Sequence, residues 1–102
     1  MTEQEQKQQE LAAFIKSYDF MRLGQAIHRG QWQSAAMTIR RMDLQAKKLE
    51  LTAFARPFAG LKQAIACKNA QEAKQILTAV TARRVKMIED LNQQKDTVRA
   101  GE

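Results

Sequence analysis

A chain of 102 residues with 17 Lys and Arg against 11 Asp and Glu, a formal net charge of +6, is the size of one small basic domain. Its 44% hydrophobic and 27% charged content excludes a disordered polymer or a collagen-like repeat, and 4 Gly with 1 Pro are too few turn residues for a β-sandwich or barrel. The composition therefore predicts an all-α fold around a single modest core.

Thr2 and Glu5 have the spacing of a capping box, with Glu3 and Glu5 where a helix dipole favours negative charge. The apolar positions Leu11, Phe14, Ile15, Tyr18, Met21, Leu23, Ala26 and Ile27 predict a first helix over about 3–29, stopped by Gly30. Residues 3–10 are wholly polar, so the start of that helix is expected to project beyond the packed body. Trp32, Ala35, Ile39, Met42, Ala46 and Leu49 predict a second helix over about 31–49.

The stripe then changes phase. Leu51, Phe54, Phe58, Leu61 and Ile65 predict a third helix over about 51–68, kinked at Pro57, where a backbone hydrogen bond is lost. The alternative is a second helix running to Ala55 and a short third one beginning at Pro57. Asn69 with Glu72 has the pattern of another N-cap, and Ala73, Leu77, Val80, Met87 and Leu91 stripe a fourth helix over about 70–91. Arg84 falls in that stripe and is expected to lay its stem on the core edge with its head in water. Few apolar residues follow Asn92, so a single domain over 1–92 with a frayed or disordered tail over 93–102 is expected.

An internal echo supports a paired architecture. Leu23, Gln25, Ala26, Ile27, Gln33 and Ala35 recur 38 positions later as Leu61, Gln63, Ala64, Ile65, Gln71 and Ala73, 6 identities over 13 positions. Each copy spans a helix end, a tight turn and the next helix start. Two such hairpins docked together make an antiparallel up-down-up-down four-helix bundle. Two copies are too few for a solenoid.

Candidates for chemistry are few. The single histidine, His28, has no second histidine or cysteine near it to share a metal, and at the end of the first helix it favours the dipole as a cap-region side chain. Cys67, the only cysteine, has no nearby histidine and is expected to be a half-buried structural thiol. No glycine-rich phosphate loop and no acid-base carboxylate pair is evident, so neither an enzyme, a metal site nor a cofactor is expected. One cysteine suits a reducing cytoplasm. The polar, acidic start is unlike a signal peptide, and no apolar run reaches the roughly 18 residues of a membrane span, so a non-exported protein is expected.

The stretch Leu23-Gly24-Gln25-Ala26-Ile27-His28-Arg29-Gly30-Gln31-Trp32, continued through Arg40, resembles histidine-containing phosphotransfer (HPt) domains. Their first packed helix ends in such a run, meets a glycine-containing turn and is followed by the phospho-accepting helix. Counting 10 residues from Gly30 reaches Arg40, and counting 21 back from Leu61 of the downstream run Leu61-Lys62-Gln63-Ala64, which precedes a turn at Lys68-Asn69, reaches it again. The resemblance covers roughly residues 8 to 91. The family's His-x-x-Lys-Gly signature would fall on Arg40, Asp43 and Leu44, so the phosphoacceptor, its lysine and the glycine are all replaced. A guanidinium stays protonated at neutral pH and cannot act as the nucleophile. The resemblance thus implies an HPt-like bundle that accepts no phosphate.

The charge is concentrated where that helix lies. Residues 1–10 carry −2, 11–21 carry 0, 22–62 carry +6 and 63–102 carry +2. Arg40 and Lys47, and Arg41 and Lys48, are each seven apart and share one side of the second helix. Its bland reading is a solvated basic face. The resemblance instead implies a partner-binding face of Arg40, Arg41, Asp43, Lys47 and Lys48 that docks on an acidic protein such as a response-regulator receiver domain. A small nucleic-acid binder is the alternative, against which five of the six aromatics (Phe14, Tyr18, Trp32, Phe54, Phe58) sit on apolar stripes. A structural homodimer is a third possibility.

Overall fold

The computed structural model describes the backbone of residues 2–100 and the side chains of residues 2–93. It contains α1 (Glu3–Ile15), α2 (Asp19–His28), α3 (Trp32–Lys48), a 3₁₀ turn (Thr52–Phe54), α4 (Ala55–Ala66) and α5 (Ala70–Ala100), with no strand among the described residues. Helices α2, α3, α4 and α5 pack in succession, α5 returns against α2, and α1 lies on α5. The result is an all-helical bundle. Its stripes bury Ala35, Ile39, Met42 and Ala46 from α3, Phe58, Leu61, Ala64 and Ile65 from α4, and Ala73 and Val80 from α5.

Both N-caps read from the sequence are present. Thr2 Oγ1 accepts from the Glu5 amide at 3.3 Å, and Asn69 Oδ1 accepts from the Glu72 amide at 3.2 Å while its Nδ2 donates to Glu72 Oε2. These side chains satisfy amides that have no partner inside a helix.

Three helix ends share one device. The Gln31 amide donates to the Ala26 carbonyl and the Gly30 amide to that of Ile27; Leu51 and Glu50 donate likewise to Ala46 and Lys47, and Asn69 and Lys68 to Ala64 and Ile65. This is the Schellman pattern, and it requires a left-handed residue in the turn. Gly30 takes that conformation at φ 68°, whereas Glu50 (58°) and Lys68 (56°) take it with a β-carbon. The 38-residue echo is therefore a repeated turn, with Gly30 and Lys68 in the same place.

The predicted first helix over 3–29 is in fact two helices. The Lys16 amide closes the last turn of α1 on Ala12, the Ser17 amide bonds the Phe14 carbonyl, and Ser17 Oγ accepts from the Asp19 amide at 3.1 Å to start α2. At about 100° per residue, one continuous helix would turn Phe20 about 120° away from Phe14. The break brings both inward. Phe14, Phe20, Phe54 and Phe58 form one cluster, with Phe14 5.4 Å from Phe20, 6.0 Å from Phe54, and Phe54 stacked on Phe58 at 5.1 Å. Tyr18 and Met21, placed on the apolar stripe by their spacing, lie outside it, Tyr18 at 72% exposure.

Three further expectations are corrected. Pro57 is the third residue of α4, in the first turn where amides lack intrahelical partners, so it kinks nothing. The connection before it is the 3₁₀ turn, and α3 stops at Lys48 rather than running to Ala55. Arg84 does not hold its head in water: Nε donates to the Ile15 carbonyl at 2.6 Å and the guanidinium lies 5.0 Å from the centre of the Phe20 ring. The backbone of α5 continues to Ala100, past the predicted end at Leu91, in a segment whose Gln, Lys, Arg and Ala residues favour a helix and which contains no Gly or Pro to break it. The rest of the expected tail, Gly101 and Glu102, and the side chains beyond Gln93 lie outside the described residues.

Urea denaturation of three variants tests this account of the fold. Lys68→Gly is expected to stabilise by about 0.5–1 kcal/mol, by removing the β-carbon from a left-handed position, and Gly30→Ala to destabilise by about 1 kcal/mol. Arg84→Leu keeps the apolar stem but leaves the Ile15 carbonyl without its donor, and is expected to cost about 1–2 kcal/mol.

Candidate functional site

Helix α3 buries one side and displays the other. Ala35, Thr38, Ile39, Met42, Asp43 and Ala46 face inward, and Thr38 closes its hydroxyl on the Ser34 carbonyl at 2.9 Å. The residues left outside are arranged in three rows. Arg40 with Lys47 forms one and Arg41 with Lys48 another; between them run Met37 and Leu44, 64% and 59% exposed. An i, i+7 step turns only about 20° from a whole number of turns, so each row is nearly parallel to the axis.

Internal pairing divides the four cations. Arg41 donates from Nε to Asp19 Oδ2 at 3.3 Å and from a terminal nitrogen to Oδ1 at 3.0 Å, which ties α3 to the first residue of α2. Lys47 Nζ lies 3.1 Å from Asp43 Oδ2, and Lys62 of α4 donates to the same oxygen. Neither Arg40 nor Lys48 meets a carboxylate among the described residues. These two, with the Met37–Leu44 ridge, are the parts of the face left for another molecule.

Asp43 therefore does not belong to the exposed face where the sequence placed it. It is 5% exposed and anchors α3 to α4 through Lys62. Burial alone pushes its carboxyl up, but hydrogen bonds from Lys62 and Lys47, and their charges, outweigh burial and hold it below the ordinary carboxylate range. Lys47 is likewise half committed to a structural pair.

His28 is the exposed last residue of α2, as its cap-region reading expects. Cys67 is the C-cap of α4 and is exposed rather than half-buried, because the Schellman turn that follows carries it to the outside of the bundle. No group of three or more His, Cys, Asp or Glu residues suited to a metal ion occurs among the described residues. No helix among them is long and apolar enough to cross a membrane.

Beside the α3 face a groove of about 730 Å³ opens between α2 and α3, with Arg22 and Gln25 on one wall and Trp32, Gln33, Met37 and Arg41 on the other. The sequence carried a signal for the apolar ridge, the seven-residue interval from Met37 to Leu44, but both residues lay off the buried stripe. It carried none for the groove, which depends on how two helices sit side by side.

The Asp43 anchor has a pH signature. Its folded pKa lies below the unfolded one, so the stability it contributes is present above the ordinary carboxylate range and is lost as pH falls through the lowered value. Asp43→Asn is expected to cost about 1–2 kcal/mol at neutral pH, reduced from a fully buried pair because both lysines reach water. It is also expected to flatten the decline of the melting temperature between about pH 5 and pH 2. Thermal melts of both proteins across that range check this.

Compared with known proteins, the chain matches no family model, no curated protein and no solved structure.

Proposed function

We propose that the chain is a non-catalytic docking module with the antiparallel up-down-up-down arrangement of an HPt domain, which engages an acidic protein of the receiver type through the outer face of α3. The ring of packing from α2 through α5 and back to α2, with short turns between successive helices, supports the arrangement. The observation that carries the function is the Met37–Leu44 ridge flanked by Arg40 and Lys48, two cations that meet no carboxylate among the described residues. An apolar centre with a charged rim is the anatomy of a protein interface. A guanidinium aimed at a carboxylate cluster gains charge-assisted, bidentate hydrogen bonds. Two copies meeting through this face would set like charges against each other, which favours an acidic partner over self-association.

Arg40 stands at the exposed mid-helix position where an HPt domain carries its histidine, and it cannot take a phosphoryl group. The only histidine, His28, ends α2 and is not part of the α3 face. The module on this reading occupies the partner's pocket and transfers nothing, in a phosphorelay of the reducing cytoplasm.

Calorimetric titration of the source organism's receiver domains into the protein tests this. At least one is expected to bind, the double variant Arg40→Glu, Lys48→Glu to bind it at least tenfold more weakly, a difference of about 1.4 kcal/mol, and no phosphate to pass from the phosphorylated receiver. Receiver binding unaffected by the double charge reversal, or duplex DNA binding that falls steeply with salt in place of receiver binding, overturns it.

A further inference from the structure

We infer that the groove between α2 and α3 takes an extended acidic segment of the protein partner, about four residues long, with its carboxylates on Arg22 and Arg41. The inference rests on the partner being an acidic protein, and adds beside the α3 face a second site that shares Met37 with the ridge and otherwise uses other residues.

The lining selects this occupant in three ways. First, no Asp or Glu lines the groove, while Arg22 and Arg41 do. Arg22 has no carboxylate partner among the described residues, and Arg41 spends only Nε and one terminal nitrogen on Asp19, leaving further N–H donors of its five. Second, Gln25, Gln31 and Gln33 place three carboxamides on the walls. A carboxamide both donates and accepts, which matches the main-chain N–H and C=O groups that an extended segment offers and a helix has already paired. Third, Trp32, half-buried, offers an apolar surface to an intervening side chain, and Met37, 64% exposed, lines the groove beside it. From Trp32 to Arg41 the α3 axis advances about 13 Å, the reach of about four extended residues.

Trp32 is the only tryptophan of the chain and lines the groove, so it reports on occupancy. The test titrates the intact protein with the peptide acetyl-Asp-Leu-Glu-Ser-Asp-Leu-Glu-amide, following Trp32 emission and the Trp32 indole N–H resonance. Controls are the same peptide with Asn and Gln for Asp and Glu, and a single-stranded DNA octamer. The acidic peptide is expected to shift both signals saturably, and the neutral peptide and the DNA to bind at least tenfold more weakly. Arg22→Glu and the milder Arg22→Gln are each expected to weaken the acidic peptide, the former at least tenfold, with the helical circular dichroism unchanged. Absence of a shift in both signals, equal binding of the neutral peptide or the DNA, or indifference to both Arg22 variants overturns the groove assignment. Because Arg40 and Lys48 lie outside the groove, loss of receiver docking in their variants with no peptide response would leave the α3 reading standing and remove only the groove. A peptide response without receiver docking would do the reverse.

Discussion

Arg84 closes the joint between α1 and α2: its Nε donates to the last carbonyl of α1, and its guanidinium lies over the ring of Phe20, the second residue of α2. The rest of the core depends on that joint. With the chain broken at Lys16–Tyr18, Phe14 and Phe20 turn toward each other and toward Phe54 and Phe58, and four rings from three helices and the 3₁₀ turn pack edge to face, tilted or stacked. A helix end buried near apolar rings must have its carbonyls satisfied, and a cationic donor that also lies on an aromatic face meets both demands at once.

The same constraint orients the face of α3. Asp19, the first residue of α2 after the break, is the carboxylate that holds Arg41, and Asp43 on the inner side of α3 is the one that holds Lys62 of α4. α3 is pinned to both neighbours by charged pairs at its mid-length, so its outward rows are presented on a fixed support. Lys62 is spent on Asp43, and Arg41 keeps for other contacts only the N–H donors that Asp19 leaves unused. A basic face that looks uniform in sequence becomes in space a ridge of Met37 and Leu44 with Arg40 and Lys48 on opposite sides, neither of them paired with a carboxylate among the described residues.

Much of this was legible beforehand. The caps at Thr2 and Asn69, the stripes of α3 and α4 and the repeated turn at Gly30 and Lys68 were readable because each depends on residues within a few positions of one another. Of the site, Arg40 and Lys48 were readable as exposed cations on one side of a helix. Asp43 was misplaced because its partner Lys62 lies 19 residues away, and Arg84 because its carbonyl partner lies 69 away. The break after Ile15 was hidden because no Gly or Pro marks it, and Ser17 is the one local hint. Pro57 misled in the other direction: its cost depends on whether its amide would have been bonded, and in the first turn of a helix it would not.

The sequence by itself determined the all-helical class, most helix starts and stops and the basic character of α3. Those follow from composition, three-four periodicity and capping, which are short-range effects. Only the tertiary structure decided which charges are spent internally, that Phe20 rather than Tyr18 enters the core, and that a groove lined by arginines and glutamines opens beside the outer face of α3. Each of these is a contact between residues far apart in the chain, and no local pattern of side chains encodes the distance between two helices.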